Sequence, residues 1–181
     1  MRLRASGTAI LSALLVAVAS PAVAQERTPR RAPDVIYVPT PPEIVEAMLR
    51  LADVTPADVV YDLGSGDGRI PIVAAQMFGA TGVGVELDPA LIAEAIANAA
   101  RAGVSDRVTF LNEDLFETDL RPATVITLYL LREMNLKLMP RLKALKAGTR
   151  IVAHSFGMGA EWSPDRIEQV SGKSIFLFIV K

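Results

Sequence analysis

The stretch Asp62-Leu63-Gly64-Ser65-Gly66-Asp67-Gly68 puts an acid directly before a loop with glycine at every second position. Alternate glycines allow a tight turn whose backbone a ligand can approach, where a side chain would hold it away. Asp62 repels a pyrophosphate and suits a ligand carrying an ammonium group. Glu86 ends the next apolar run, and an acceptor-only carboxylate can take hydrogen bonds from two neighbouring hydroxyls. Asp114 follows the third run, with Leu87, Asp88 and Leu115 beside these acids. Any one of these acids alone could be a solvated loop carboxylate; three at the ends of successive runs describe a cofactor cradle.

A dinucleotide site competes for the same loop. Its fingerprint wants glycine at the first, third and sixth positions, so that a helix can approach the pyrophosphate. Counting from Gly64 puts Gly66 third but Arg69 sixth. Arg69 and Asp62 together count against NAD.

The elements that must hold this loop alternate along the chain. Val59 to Leu63 reads as a buried parallel strand, Arg69 to Phe78 as a helix stopped by Gly79, and Thr81 to Glu86 as a second strand. Pro89 to Ala102 is an alanine-rich helix ending at Gly103. Arg107 to Leu111 and Ala123 to Leu130 are the third and fourth strands, and Thr149 to His154 is the fifth. Glu133 to Leu145 supplies a helix that Pro140 is expected to kink or divide. Ile167 to Val170 and Ile175 to Val180 suggest a closing antiparallel hairpin. Upstream, Ile44, Val45, Met48, Leu49 and Leu51 recur at helical spacing after Pro42. Strands alternating with helices call for parallel pairing in an α/β fold.

Arg2 and Arg4, the apolar run Ala9 to Ala19 and Ala22-Val23-Ala24 form a secretory leader pattern over residues 1–24. An uncut amino-terminal anchor is the alternative. Residues 25–34 read as a flexible lead-in, and 35–181 as one domain. The expected location is therefore exported, periplasmic or secreted. Outside the leader, 17 basic residues face 20 acidic ones, which offers no general field for nucleic acid. There is no cysteine, hence no disulfide and no thiolate metal site; the single histidine defines neither a metal cluster nor a hydrolytic triad.

The alternating loop resembles motif I of the class I, seven-strand S-adenosylmethionine methyltransferases. A closer resemblance runs through Tyr37-Val38-Pro39-Thr40, Tyr61 to Ile70, Gly84-Val85-Glu86-Leu87-Asp88-Pro89, Gly148 to Val152 and the turn holding Trp162. These segments look like the small protein-lysine methyltransferases of the FAM173 type, related in their core to the Dot1-type histone lysine methyltransferases. The resemblance implies a Rossmann-like sandwich with a mostly parallel seven-stranded sheet of order 3-2-1-4-5-7-6. It implies S-adenosyl-L-methionine as cofactor. Asp62, Gly64, Ser65 and Gly66 would lie at its methionyl part, Glu86 at the ribose hydroxyls, and Asp114 and the amide of Leu115 at the adenine. Tyr37 and Thr40, on a segment that folds over the cofactor, would reach its methionyl end.

The cofactor's sulfonium makes its methyl group electrophilic, so the protein has chiefly to align an incoming lone pair. For a lysine acceptor, deprotonation at pH 7 costs about 4.6 kcal/mol, from a pKa near 10.4. An apolar channel and the neighbouring sulfonium both lower that cost without a histidine base. Tyr129 is the candidate wall of an acceptor channel, or an ordinary core aromatic; His154 is expected as a satisfied strand-end histidine. Phe156, Met158 and Trp162 either line a substrate entrance or cap the core. The acceptor is then a protein lysine or a small molecule, with a non-catalytic nucleoside-binding module as the reading from another class.

Overall fold

The computed structural model describes residues 37–181. The leader, the lead-in and the residues before Tyr37 lie outside the described residues. Among the described residues, no helix is long and apolar enough to cross a membrane.

Twelve elements follow in order: α1 (Pro42–Leu51), β1 (Val59–Leu63), α2 (Arg69–Phe78), β2 (Thr81–Glu86), α3 (Pro89–Ala102), β3 (Val108–Asn112), β4 (Val125–Leu128), α4 (Arg132–Lys143), β5 (Arg150–His154), a 3-10 turn (Gly159–Glu161), β6 (Arg166–Val170) and β7 (Lys173–Ile179). They build one seven-stranded sheet of order β3-β2-β1-β4-β5-β7-β6. The first five strands pair in parallel, and β7 is antiparallel to both β5 and β6.

Period-2 alternation divides the sheet's two faces. Val60, Val125 and Val152 pack with Ile44, Met48 and Leu49 of α1 and with Ile70 and Ala74 of α2. Leu63, Ile126, Leu128 and Ile151 face the other way, onto Leu138 and Leu142 of α4 and onto Leu120. Ala99 of α3 joins Ile72 and Ala75 of α2 in a smaller cluster near Phe110. A Cβ on Gly82 would come within 2.6 Å of the Pro71 carbonyl oxygen, so that glycine is what lets α2 lie flat on β2.

Two elements depart from expectation. β4 spans Val125–Leu128 rather than Ala123 to Leu130, because its register partner Leu63 is the last residue of β1 before the glycine loop. Leu130 is thereby released from the ladder. α4 remains a single helix through Pro140. The missing N–H removes one helical bond within the last turn and a half, while Leu138 and Leu142, both fully buried, anchor the helix on either side of the proline.

Candidate functional site

The carboxyl ends of β1, β2, β3 and β4 enclose a cavity of about 310 Å³. Tyr37, Thr40, Asp62, Gly64, Ser65, Glu86, Leu87, Asp114, Leu115 and Tyr129 all line it. Gly66 does not. Its open face is covered by the Tyr37 ring, which a Cβ would meet at 2.1 Å, and its N–H donates to Glu86 Oε2 at 2.9 Å.

The sheet register explains this convergence. Asp62 sits on the central strand with Gly84 on one side and Thr127 on the other, so its carboxyl is almost entirely buried. Thr127 Oγ1 donates to Asp62 Oδ1 at 2.7 Å. Glu86 ends β2 one strand away. Its Oε1 accepts from the amides of Leu87 (2.7 Å) and Asp88 (3.0 Å), which fixes the carboxylate at the strand tip. With three N–H donors on about four acceptor sites, room remains for a ligand hydroxyl.

Four of the loop's amides are already engaged within the protein. Gly64 and Ser65 both donate to the Val85 carbonyl, Gly68 donates to the Ser65 carbonyl, and Gly66 is engaged with Glu86. The loop is locked onto β2, and the side chains, more than the amides, are presented to the cavity. Ser65 Oγ is buried with no hydrogen-bond partner among the described residues. Asp88 serves as the N-cap of α3, accepting from Ala90 N at 2.8 Å. Asp114 Oδ1 accepts from Phe116 N, and Arg141 of α4 donates to the carbonyls of Leu115, Phe116 and Thr118. This arginine clamps the loop after β3 in place.

Among the described residues, six carboxylic side chains line the cavity, Asp62, Asp67, Glu86, Asp88, Glu113 and Asp114, against the single guanidinium of Arg69. Burial pushes Asp62 up to about 7; the Thr127 hydroxyl opposes this, and the charges of Glu86 and Asp67 add to it. Asp67 moves the other way. Burial alone would raise it, but the hydrogen bonds and charge of Arg69 outweigh burial and hold it below the usual range. Such a site favours a cationic ligand.

Just past β4, the Tyr129 ring lies 4.0 Å from the His154 ring, centroid to centroid. His154 is buried, burial lowers its pKa, and neither ring nitrogen has a hydrogen-bond partner among the described residues. The expected satisfied histidine is thus a neutral ring packed against Tyr129. Met158 is wholly buried and Trp162 packs on Phe178, so both belong to the core, whereas Phe156 stays 40% exposed. Sequence reasoning missed Arg69, weighed only as a mismatch to a dinucleotide fingerprint, and Met134, whose helix reaches the cavity only in the folded chain. A lone cation in an acidic loop was the available signal for Arg69.

The family model of the ANTKMT methyltransferase domain matches residues 62–166. A protein-lysine N-methyltransferase of Saccharolobus islandicus is 42% identical over 154 residues, covering 82% of this chain and 95% of that protein. The mouse adenine nucleotide translocase lysine N-methyltransferase is 36% identical over 75% of this chain and 60% of that one. A Salinibacter ruber structure described as an RNA methyltransferase in complex with S-adenosyl-L-homocysteine superposes with a TM-score of 0.77 at 52% identity, covering 79% of this chain and 94% of that one. The glycine loop, the strand-tip acids and the sheet order thus have one explanation: the chain belongs to the ANTKMT methyltransferase domain family and is an S-adenosylmethionine-dependent methyltransferase.

Proposed function

We propose that the methyl group goes to the side-chain amine of a protein lysine, and that the cavity at the strand tips holds the cofactor. The observation that carries this reading is the charge of the lining, six carboxylic groups to one guanidinium. The donor set fits S-adenosylmethionine. Asp62 is a buried acid suited to an ammonium, Glu86 is a fixed acceptor with one site left for a ribose hydroxyl, and Asp114 stands just beyond the next strand. When bound, the cofactor supplies an electrophilic methyl group on a sulfonium.

The chain's own residues do the rest by placement and desolvation. Tyr129, Leu130 and Met134 add aromatic and apolar surface to the cavity's lining. There an ammonium loses hydration, which favours the neutral amine whose lone pair reacts. His154 behind Tyr129 is neutral and buried, so it adds no positive charge against the incoming amine. Two relatives named as lysine methyltransferases support the same acceptor.

The relative described as an RNA methyltransferase motivates a second reading. Phosphates would have to approach the acidic cavity, which opposes them. Incubation of the protein with labelled S-adenosylmethionine and a cell extract separates the two. Label that survives nuclease and maps to lysine supports the proposal; label lost to ribonuclease, or found only in small molecules, overturns it.

A further inference from the structure

We propose that Arg69 binds the α-carboxylate of the cofactor and, through the same guanidinium, ties the segment Tyr37–Thr40 to the cofactor loop. The inference rests on the assignment of S-adenosylmethionine to this cavity. That molecule brings a sulfonium, an ammonium and one carboxylate. The two cations are served by the acidic lining, but the carboxylate enters a site where six acidic side chains repel it. Arg69 is the one cationic side chain among the described residues that line the cavity.

The guanidinium is already oriented. Nε donates to Asp67 Oδ1 at 2.9 Å and Nη2 to Asp67 Oδ2 at 2.7 Å, a two-point pairing that fixes the plane of the group. Nη1 donates to the Thr40 carbonyl at 2.8 Å, and Nη2 lies 3.4 Å from the Tyr37 hydroxyl. Of five N–H donors, the second one on Nη1 has no partner in these bonds. Arg69 is about one-third exposed while Asp67 is nearly buried, so the pair is accessible from its arginine side. Tyr37 and Thr40 also line the cavity, and the Tyr37 ring lies against Gly66. A carboxylate on Arg69 therefore sits where segment and loop meet, and its binding favours the arrangement in which the segment is held down.

The test is a binding cycle read by calorimetry, without turnover. S-adenosylmethionine, its decarboxylated form and 5′-methylthioadenosine, which lacks the whole amino-acid part, are titrated into the wild-type chain and into Arg69→Gln. The wild type is expected to bind S-adenosylmethionine at least about tenfold more tightly than the decarboxylated form. In Arg69→Gln the two affinities converge to within about twofold, with the affinity for methylthioadenosine unchanged. Arg69→Lys keeps the charge and is expected to restore part of the discrimination; it also serves if the glutamine variant does not fold. Equal weakening of all three ligands would make Arg69 a support of the loop and overturn the inference, as would wild-type indifference to the carboxylate. Failure of the wild type to bind any of the three would instead overturn the cofactor assignment itself, and this inference with it.

Discussion

At the residue scale, Asp62 carries opposite demands. Its carboxyl is buried between two strands and pushed up to about 7, from about 3.9 in an unfolded chain. Because the folded value is raised, its contribution to stability is complete below the unfolded pKa and is lost as pH rises through 7. Asp62→Asn is therefore expected to stabilise the cofactor-free protein at pH 8 by about 1–3 kcal/mol, with the gain vanishing toward pH 4, measured by urea unfolding at both pH values. The same variant should bind S-adenosylmethionine more weakly, since in the proposed binding mode the ammonium loses its counter-charge. Tyr129 lines the same cavity. Tyr129→Ala is expected to lower methyl transfer at least about tenfold while leaving affinity for S-adenosylhomocysteine within about twofold, in paired kinetic and calorimetric measurements. Asp62, Glu86 and Asp114 were legible in the sequence because each follows an apolar run and so falls at or near the end of a strand, where the sheet meets its ligand edge. The lack of a hydrogen-bond partner for His154 among the described residues was not, since such partners are supplied by neighbours distant in the chain.

At the element scale, two contacts hold the cofactor loop and the loop after β3. Gly82 lets α2 rest on β2, and a methyl group there would meet the Pro71 carbonyl oxygen at 2.6 Å. Gly82→Ala is expected to cost about 2–4 kcal/mol of stability, seen as a lowered urea midpoint, since backbone rather than a flexible side chain must move. Arg141 acts from α4 on the carbonyls of the loop that ends in Thr118. Arg141→Ala should raise hydrogen exchange of the amides of residues 115–118 and weaken adenosine binding several-fold, while α4 itself remains helical. Strand and helix identities followed from apolar runs, glycine stops and proline starts. The ends of β4 did not, because a strand stops where its neighbour stops, and Leu63 and Leu128 are paired only in the fold. Pro140 did not divide α4 for a related reason: its local cost is real, yet burial on both sides of it outweighs one lost bond.

At the scale of the whole molecule, the near-neutral chain hides a concentrated asymmetry. Lysines and arginines number 19 against 20 acids overall, yet the cavity gathers six acids and one cation. Association of a lysine-bearing peptide is expected to slow as ionic strength rises from about 0.01 to 1 M, where the screening length falls from about 30 to 3 Å. Stopped-flow binding at a series of salt concentrations checks this, and rates that do not change with salt would count against electrostatic attraction by the cavity. What the sequence determined by itself was the alternation of strands and helices, the loop before α2 and the strand-end acids, because these depend on local spacing and on side-chain type. The tertiary structure decided which charges share a cavity, which loop amides are already spent, and that Arg69 faces both the cofactor loop and the Tyr37–Thr40 segment. Those outcomes depend on strand order and register, which bring together groups far apart in the chain and set how much water remains between them.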